Sequence, residues 1–409
     1  MTYIKILGGG DEIGRSSIML ENKKRLILDH GVKIQPEPPT YPAREKADAA
    51  IIAHAHLDHV GAAPLLKNMP VYMNDVTLEL GTMLINDSMK VAKKEGFGVP
   101  YSNNDVKRLI KNTKIVRYNE KFRVGEFTCT LWSSGHIPGS SSILVDDGKK
   151  TFYTSDIQTR PTHLLNPCNL PDKVDTLIIE STYGMRVQED RAKEEARLRE
   201  IVDETISNGG SVLIPVLAVG RAQEVMLILQ DHARKMALDG MAKLASEIIA
   251  EYSAYIKNPK GFRELLRSVK FMHNDRDRES AVKKCPIIVA TAGMLTGGPA
   301  VRYLREIQEN KHSSVIFTSF LAEDSPGRGL KDTNTFANDE ERFAVAGTVH
   351  QVELSAHADR TGLLEIIKKT RPETVICVHG DQCKEFAKNI EEEFNIQAFA
   401  PKNGEVVRV

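Results

Sequence analysis

Six consecutive residues, His54-Ala55-His56-Leu57-Asp58-His59, bring three imidazoles and a carboxylate together. Nitrogen and carboxylate-oxygen donors in that mix suit zinc or a similar transition ion. Drawn out as an extended segment, His54, His56 and Asp58 point to one side while His59 turns off separately, so the run can feed two neighbouring ions. The cluster ends an apolar run, Ala49–Ala53, where bare imidazoles seldom crowd without a metal to share; a surface histidine cluster is the weaker account. Further ligands are available downstream. Asp156 follows the strand-like Thr151–Thr154, and His136 sits in Ser134-Gly135-His136-Ile137-Pro138-Gly139-Ser140. Taken alone these are an ordinary capping Asp and an ordinary loop His. Asp29 ends another apolar run, Leu26-Ile27-Leu28, and suits a carboxylate that orients a ligating His from behind.

The elements that must hold these residues are short strands. Tyr3–Leu7, Ser17–Leu20, Arg25–Asp29, Phe127–Trp132, Ser142–Val145 and Thr151–Thr154 have strand character, the last two joined by the turn signal Asp146-Asp147-Gly148. One helix is expected over Val76–Lys94. From about Gln188 the pattern changes. Leu198, Ile201, Val202, Thr205 and Ile206 recur at helical spacing before Gly209-Gly210. A buried-strand run follows (Ser211–Val216), then a helix from about Arg221 to Met236. Further buried-strand runs at Pro286–Ala290 and Val315–Thr318 complete a β-α alternation that predicts a parallel-sheet unit. Near Thr348 strand character returns, and Thr374–Val378 leads into His379-Gly380. The expected division is 1–185, 186–346 and 347–409, with the first and last segments forming one domain.

The chain has 409 residues, 55 Lys+Arg and 55 Asp+Glu, for a formal net charge of zero. A protein held to nucleic acid mainly by a basic surface carries a positive excess, so any phosphate binding here must be local. The longest apolar run, Val212 to Val219, contains Pro215 and is far short of the roughly 18 residues that signal a membrane span. The opening Met1-Thr2-Tyr3-Ile4 lacks signal-peptide character, and the five cysteines form no CxxC pair; both point to a cytoplasmic protein with no membrane association.

A second set of motifs occupies the rest of the chain. Glu180-Ser181-Thr182-Tyr183-Gly184 closes the apolar run Leu177–Ile179; Ser355-Ala356-His357-Ala358-Asp359 and Val378-His379-Gly380 lie near the C-terminus. Between them stand Pro215-Val216-Leu217-Ala218-Val219-Gly220-Arg221-Ala222-Gln223-Glu224 and Ala292-Gly293-Met294-Leu295-Thr296-Gly297-Gly298-Pro299. With the strand-end Asp29, the HxHxDH run, His136 and Asp156, the whole resembles the β-CASP nucleases of the metallo-β-lactamase fold. Ribonuclease J and the short archaeal relatives of the cleavage and polyadenylation specificity factor endonuclease are of this kind. The resemblance implies an α/β protein: a metallo-β-lactamase αββα sandwich with an inserted α/β β-CASP cap domain.

It also implies roles. His54, His56 and His136 would bind one Zn2+ and Asp58, His59 and His379 a second, with Asp156 bridging, giving two Zn2+ per chain. His357 matches the family's catalytic histidine and Glu180 the acid that orients it. DNA-directed members generally carry Val in place of His379, so the implied partner is single-stranded RNA. It would be cleaved to 5′-phosphate and 3′-hydroxyl ends, with 5′-to-3′ trimming favoured over endonuclease action. Such chemistry is coherent: ions held there activate water and neutralise a phosphodiester oxygen, and a protonated histidine supplies the leaving oxygen's proton, worth roughly 10²–10⁴-fold. The resemblance leaves room for a homodimer and for RNA-processing or decay partners.

Arg221, Ser355 and Arg328 are the candidates for local phosphate contact, a structural ion pair of Arg221 with Glu224 or a neighbour being an equal alternative. Phe320-Leu321-Ala322-Glu323-Asp324 departs from the family's usual Gly-Tyr-Gln-Ala-Glu-Gly run, so no substrate contact carries over at those positions. Asp275–Arg278 reads as a solvated face, Trp132 as core, and Gly8-Gly9-Gly10 as a tight turn beside the metal site rather than a dinucleotide loop. A DNA nuclease of the same superfamily, an inactive scaffold subunit and a small-molecule metallo-hydrolase are the competing readings. The first is disfavoured by His379, the second by the complete ligand set and the third by the inserted unit.

Overall fold

The structure is a computed structural model that describes residues 2–35 and 37–409. The chain divides into two compact units, Met1–Pro161 with Asn166–Val187 and His357–Val409, and Thr162–Leu165 with Gln188–Ala356.

The first unit is built on two seven-stranded sheets. One runs in the order Val406–Arg408, Tyr3–Gly8, Ser17–Glu21, Arg25–Leu28, Ala49–Ile51, Val71–Met73, Thr113–Ile115. The other runs Gln397–Phe399, Thr374–Val378, Thr176–Glu180, Lys150–Tyr153, Ser141–Asp146, Phe127–Ser133, Lys121–Val124. Period-two alternation assigns each residue to a face. Ile4, Ile6, Ile18, Leu20, Leu26 and Leu28 meet Phe127, Cys129, Leu131, Ile143 and Val145 between the sheets. Their sequence neighbours Met19 and Ile27 face outward, into a cluster with Ile85 and Leu109 of the helices Asp75–Lys94 and Asn103–Asn112. Phe152, Leu177 and Ile179 of the second sheet pack against Leu363, Ile367, Phe386 and Ile390 of Arg360–Thr370 and Cys383–Phe394. The result is the expected αββα sandwich. Two of its helix starts are capped by side chains: Asn74 accepts from Thr77 N, and Ser102 with Asp105 forms a capping box.

The second unit carries a six-stranded sheet in the order Lys270–Phe271, Met236–Asp239, Ile287–Ala290, Val212–Pro215, Ser314–Phe317, Thr348–Gln351, with every neighbouring pair parallel. The four middle strands are buried throughout, as a sheet covered on both faces requires.

Three expectations change. The helix from Arg221 ends at Ile228, a 3-10 turn follows over Gln230–Lys235, and Met236–Asp239 is a strand. Met236 pairs beside Ile287, so the sheet's need for a buried strand overrides the helical spacing. The segment Thr348–Gln351 pairs with Ser314–Phe317, so the second unit runs to Ala356 rather than stopping at 346. Arg278 is not simply solvated: its Nε lies 2.7 Å from the fully buried Asp239, which Tyr303 Oη also reaches at 3.0 Å. No helix among the described residues is long and apolar enough to cross a membrane.

Candidate metal centre

Every candidate ligand leaves the end of a strand or the loop after it. Ala49–Ile51 runs buried into Ile52 and Ala53, and His54 follows, fully buried. The segment does not stay extended. After His56 the chain enters a helical turn, Leu57–Val60, which carries Asp58 and His59 to a second position. The turn is pressed against Gly31, where an added Cβ would sit 1.6 Å from Asp58 O, so only glycine permits this approach.

His136 is held by a loop closed through Ser140, whose Oγ accepts from the His136 and Ile137 amides, both at 3.1 Å. Asp156 follows the strand Lys150–Tyr153 through Ser155, and His379 follows Thr374–Val378. Ser155, His379 and Asp29 all have left-handed backbone, with φ of 49°, 53° and 58°. Such strain is tolerated where surrounding structure imposes it, and here it turns three strand ends sharply toward one place.

Two four-residue groups of ligand atoms result, each within 4.8 Å: His54, His56, His136 and Asp156 in one, and Asp58, His59, His379 and Asp156 in the other. Asp156 belongs to both. Its Oδ2 lies 3.4 Å from His54 Nε2 and 3.5 Å from His136 Nε2. Its Oδ1 lies 3.1 Å from His59 Nε2 and 3.6 Å from His379 Nδ1. His379 Nε2 is 3.3 Å from Asp58 Oδ2.

These donors fit a pair of cations. His54 Nε2, His56 Nε2 and Asp156 Oδ1 are buried with no hydrogen-bond partner, a costly condition that metal ligation removes. Burial pushes His54, His56 and His136 below the usual imidazole range, His56 to about 4, which is the neutral form that ligates. Burial opposes charge on His59 and His379 as well. There the Asp156 carboxylate outweighs it, helped by Asp29 and Asp58 at His59 and by Asp58 at His379, and both imidazoles are raised. Those protons mark where positive charge is wanted, and a divalent cation competes for the same carboxylates.

His357 stands beside this cluster. Its Nδ1 lies 2.9 and 3.1 Å from the two oxygens of Glu180, and its Nε2 3.9 Å from Asp156 Oδ2. Glu180 closes the strand Thr176–Glu180 and also accepts from the Ile157 amide at 2.9 Å. Burial lowers the His357 pKa, but Glu180 and Asp156 outweigh it and lift the group to about 9.

All the expected ligands, with His357 and Glu180, thus come together within the first unit. Sequence reasoning missed the residues behind them. Tyr153 Oη donates to Asp29 Oδ2 at 2.8 Å, Thr182 Oγ1 lies 3.2 Å from His379 Nδ1, and the Tyr183 ring is 6.1 Å from that of His357. Only Thr182 and Tyr183 had a signal, being in the motif that contains Glu180. The tight turn expected at Gly9 meets the site directly, since Gly9 O accepts from the His379 amide at 2.7 Å.

The phosphate candidates Arg221, Ser355 and Arg328 lie in the second unit. Arg221 opens the helix Arg221–Ile228. Glu224 is held by Arg191 at 2.6 Å and by the His163 and Leu164 amides. Arg328 Nε pairs with Asp332 at 2.6 Å, and Ser355 O accepts from Arg191.

Comparison with known proteins agrees with this architecture. A Beta-Casp domain matches residues 222–330, a "Zn-dependent metallo-hydrolase RNA specificity domain" matches 342–401, and "Anti-Pycsar protein Apyc1" matches 11–180. The chain is 36% identical to "Probable RNase MJ4" of Methanocaldococcus jannaschii, covering 98% of this chain and 99% of that one. It is 35% identical to the "RNase J-like protein" of the same organism, over 100% of both. With "RNase aCSPSF2" of Saccharolobus solfataricus it shares 32% identity over 99% of this chain and 85% of the other. A crystal structure of an Enterococcus faecalis protein of unknown function superposes over 100% of both chains at a TM-score of 0.61 and 16% identity, a likeness of fold. Full-length relatedness of this degree, on a sandwich whose strand ends converge on a shared aspartate, means that the chain belongs to the β-CASP family of metallo-β-lactamase-fold hydrolases.

Proposed function

We propose that this protein is a ribonuclease that uses two zinc ions to hydrolyse phosphodiester bonds of single-stranded RNA, leaving 5′-phosphate and 3′-hydroxyl ends. The observation that carries the reading is Asp156, shared by two ligand groups, with His357 directly beside it. His54, His56 and His136 would hold one cation and Asp58, His59 and His379 the other, with Asp156 common to both. Bound there, the cations supply Lewis-acid neutralisation of the phosphodiester and activation of water.

The chain's own residues do the rest. Glu180 holds His357 by Nδ1, which leaves Nε2 on the side of Asp156 and of the reacting phosphate. With its pKa lifted to about 9, His357 stays protonated at neutral pH and donates to the departing 3′ oxygen. Tyr153, through Asp29, and Thr182 keep the rings of His59 and His379 from rotating. Arg221, Ser355 and Arg328 serve as phosphate contacts on the second unit. Three relatives that match 98% or more of this chain carry RNase or RNase-like names, which supports RNA as the substrate.

Within this reading 5′-to-3′ trimming is the principal mode, with endonuclease action beside it. Product sizing from a 5′-labelled, 5′-monophosphorylated single-stranded RNA tests this. Immediate labelled mononucleotide without labelled intermediates is expected; labelled internal fragments appearing first would reverse the order of the two modes.

A further inference from the structure

His357 is where the chain re-enters the first unit, and its main chain is held there by the residues that follow the shared aspartate. The Ala358 amide donates to Ile157 O at 2.7 Å, and the His357 carbonyl accepts from Gln158 Nε2 at 2.9 Å. The peptide group between His357 and Ala358 is therefore bound at its N–H and at its C=O by the two residues next to Asp156. The Ile157 amide in turn donates to Glu180, the carboxylate that takes His357 Nδ1.

Gln158 supplies the side chain in this arrangement. It is 4% exposed, and its carboxamide cannot be turned round: the Arg160 amide only donates and faces Oε1 at 3.0 Å, while the His357 carbonyl only accepts and faces Nε2. Its backbone is fixed as well. The Gln158 amide donates to Ser134 O, at the start of the His136 loop, and the Gln158 carbonyl accepts from the Cys168 amide, both at 2.9 Å. On the other side of Ala358, buried Asp359 caps the helix Arg360–Thr370 through the Gly362 amide and takes Arg160 at 2.9 Å. An apolar side chain of similar length would fill the place of Gln158 without the cost of burying an amide, so the amide is favoured only with its bonds made.

We propose that Gln158 is a positioning residue for His357. By holding the His357 carbonyl it keeps the imidazole Nε2 beside Asp156, at 3.9 Å, where it protonates the leaving oxygen. The proposal rests on the ribonuclease reading above. Glu180 fixes the orientation of the ring, whereas Gln158 fixes the backbone from which the ring projects. A misplacement of about 1 Å is enough to cost a reaction about 10²-fold. The loss of Gln158 should therefore be felt in the step that uses the His357 proton and nowhere else.

The test compares two substrates on the zinc-loaded full chain. RNA departs as a 3′ alkoxide that needs a proton, and bis(4-nitrophenyl) phosphate departs as a phenolate that does not. Gln158→Met should lower kcat on RNA by about 10- to 100-fold with KM unchanged. It should keep the parent's zinc content by elemental analysis and the parent's rate on bis(4-nitrophenyl) phosphate. Gln158→Glu keeps the length and the oxygen that faces Arg160 but loses the donor to His357, so it should show the same split even if Gln158→Met fails to fold. In a His357→Ala background either variant should cost nothing further, as for residues that act as a unit. A parent-like rate on RNA overturns the proposal. So does an equal loss on both substrates, a loss of zinc or a full further loss in the His357→Ala background, since each would make Gln158 a structural residue of the metal loop. If the parent cleaves no RNA, or if His357→Ala is slowed alike on both substrates, the proposal falls together with the ribonuclease reading or with its proton donor.

Discussion

Asp29 Oδ2 lies 2.7 Å from His59 Nδ1, and both side chains are fully buried. The same oxygen accepts from Tyr153 Oη at 2.8 Å, and Oδ1 accepts from the Ala53 amide at 2.6 Å. Asp29 therefore fixes which nitrogen of His59 carries a proton and turns Nε2 toward Asp156. Asp29→Asn keeps the shape but weakens that grip. The expected result is a loss of about 10- to 100-fold in metal affinity, read by competition with a chromogenic chelator, with the circular dichroism spectrum unchanged.

His357 touches Glu180 and Asp156 but belongs to neither four-residue ligand group. His357→Ala should retain the metal content of the parent protein while single-turnover cleavage of RNA slows by about 10²–10⁴-fold. Elemental analysis beside the rate measurement separates this from metal loss. Parent-like turnover would remove the proton-donor role.

In the second unit Asp239 is buried and held by Arg278, Lys243 and Tyr303. Removing one partner of a buried ion pair leaves an uncompensated charge. Lys243 and Tyr303 remain in Arg278→Ala, so the expected destabilisation is about 2–3 kcal/mol, below the roughly 3–5 kcal/mol of a fully orphaned pair. Urea unfolding measures it.

His163 Nε2 lies 2.8 Å from Glu195, beside Arg191. The hydrogen bond to Glu195 raises His163, and although burial opposes it, His163 and Arg191 pull Glu195 down to about 2. The His163 contribution is complete below its unfolded value near 6.5 and is lost as pH rises through the raised folded value. The Glu195 contribution is complete above 4.5 and lost as pH falls toward 2. Since His163 is over a third exposed, the pair is worth under about 1 kcal/mol. The stability difference between the parent and His163→Gln should be larger near pH 5.5 than near pH 8.5, by unfolding titration at each pH.

Much of the centre is legible in the sequence because four of its ligands fall in six residues at the end of an apolar strand. The strand-end positions of Asp29, Asp156 and His379 follow from period-two patterning. What patterning does not carry is direction. Left-handed backbone at Asp29, Ser155 and His379 turns these side chains inward, and none of the three residues announces that conformation as glycine does. Tyr153 looks like one more apolar strand residue until its hydroxyl meets Asp29. The strand Met236–Asp239 and the unit to which the strand Thr348–Gln351 belongs are hidden for a related reason: partners far away in sequence decide them, through pairing with Ile287–Ala290 and Ser314–Phe317.

The central claim is that the shared-aspartate cluster cleaves RNA through bound metal. The direct measurement is a time course on 5′-labelled single-stranded RNA with zinc-loaded parent protein, chelator-stripped parent and Asp156→Ala side by side. The account predicts products with 3′-hydroxyl ends from the loaded parent, none from the other two, and recovery when zinc is returned to the stripped parent alone. Undiminished cleavage by Asp156→Ala, or intact RNA with the fully loaded parent, would contradict it.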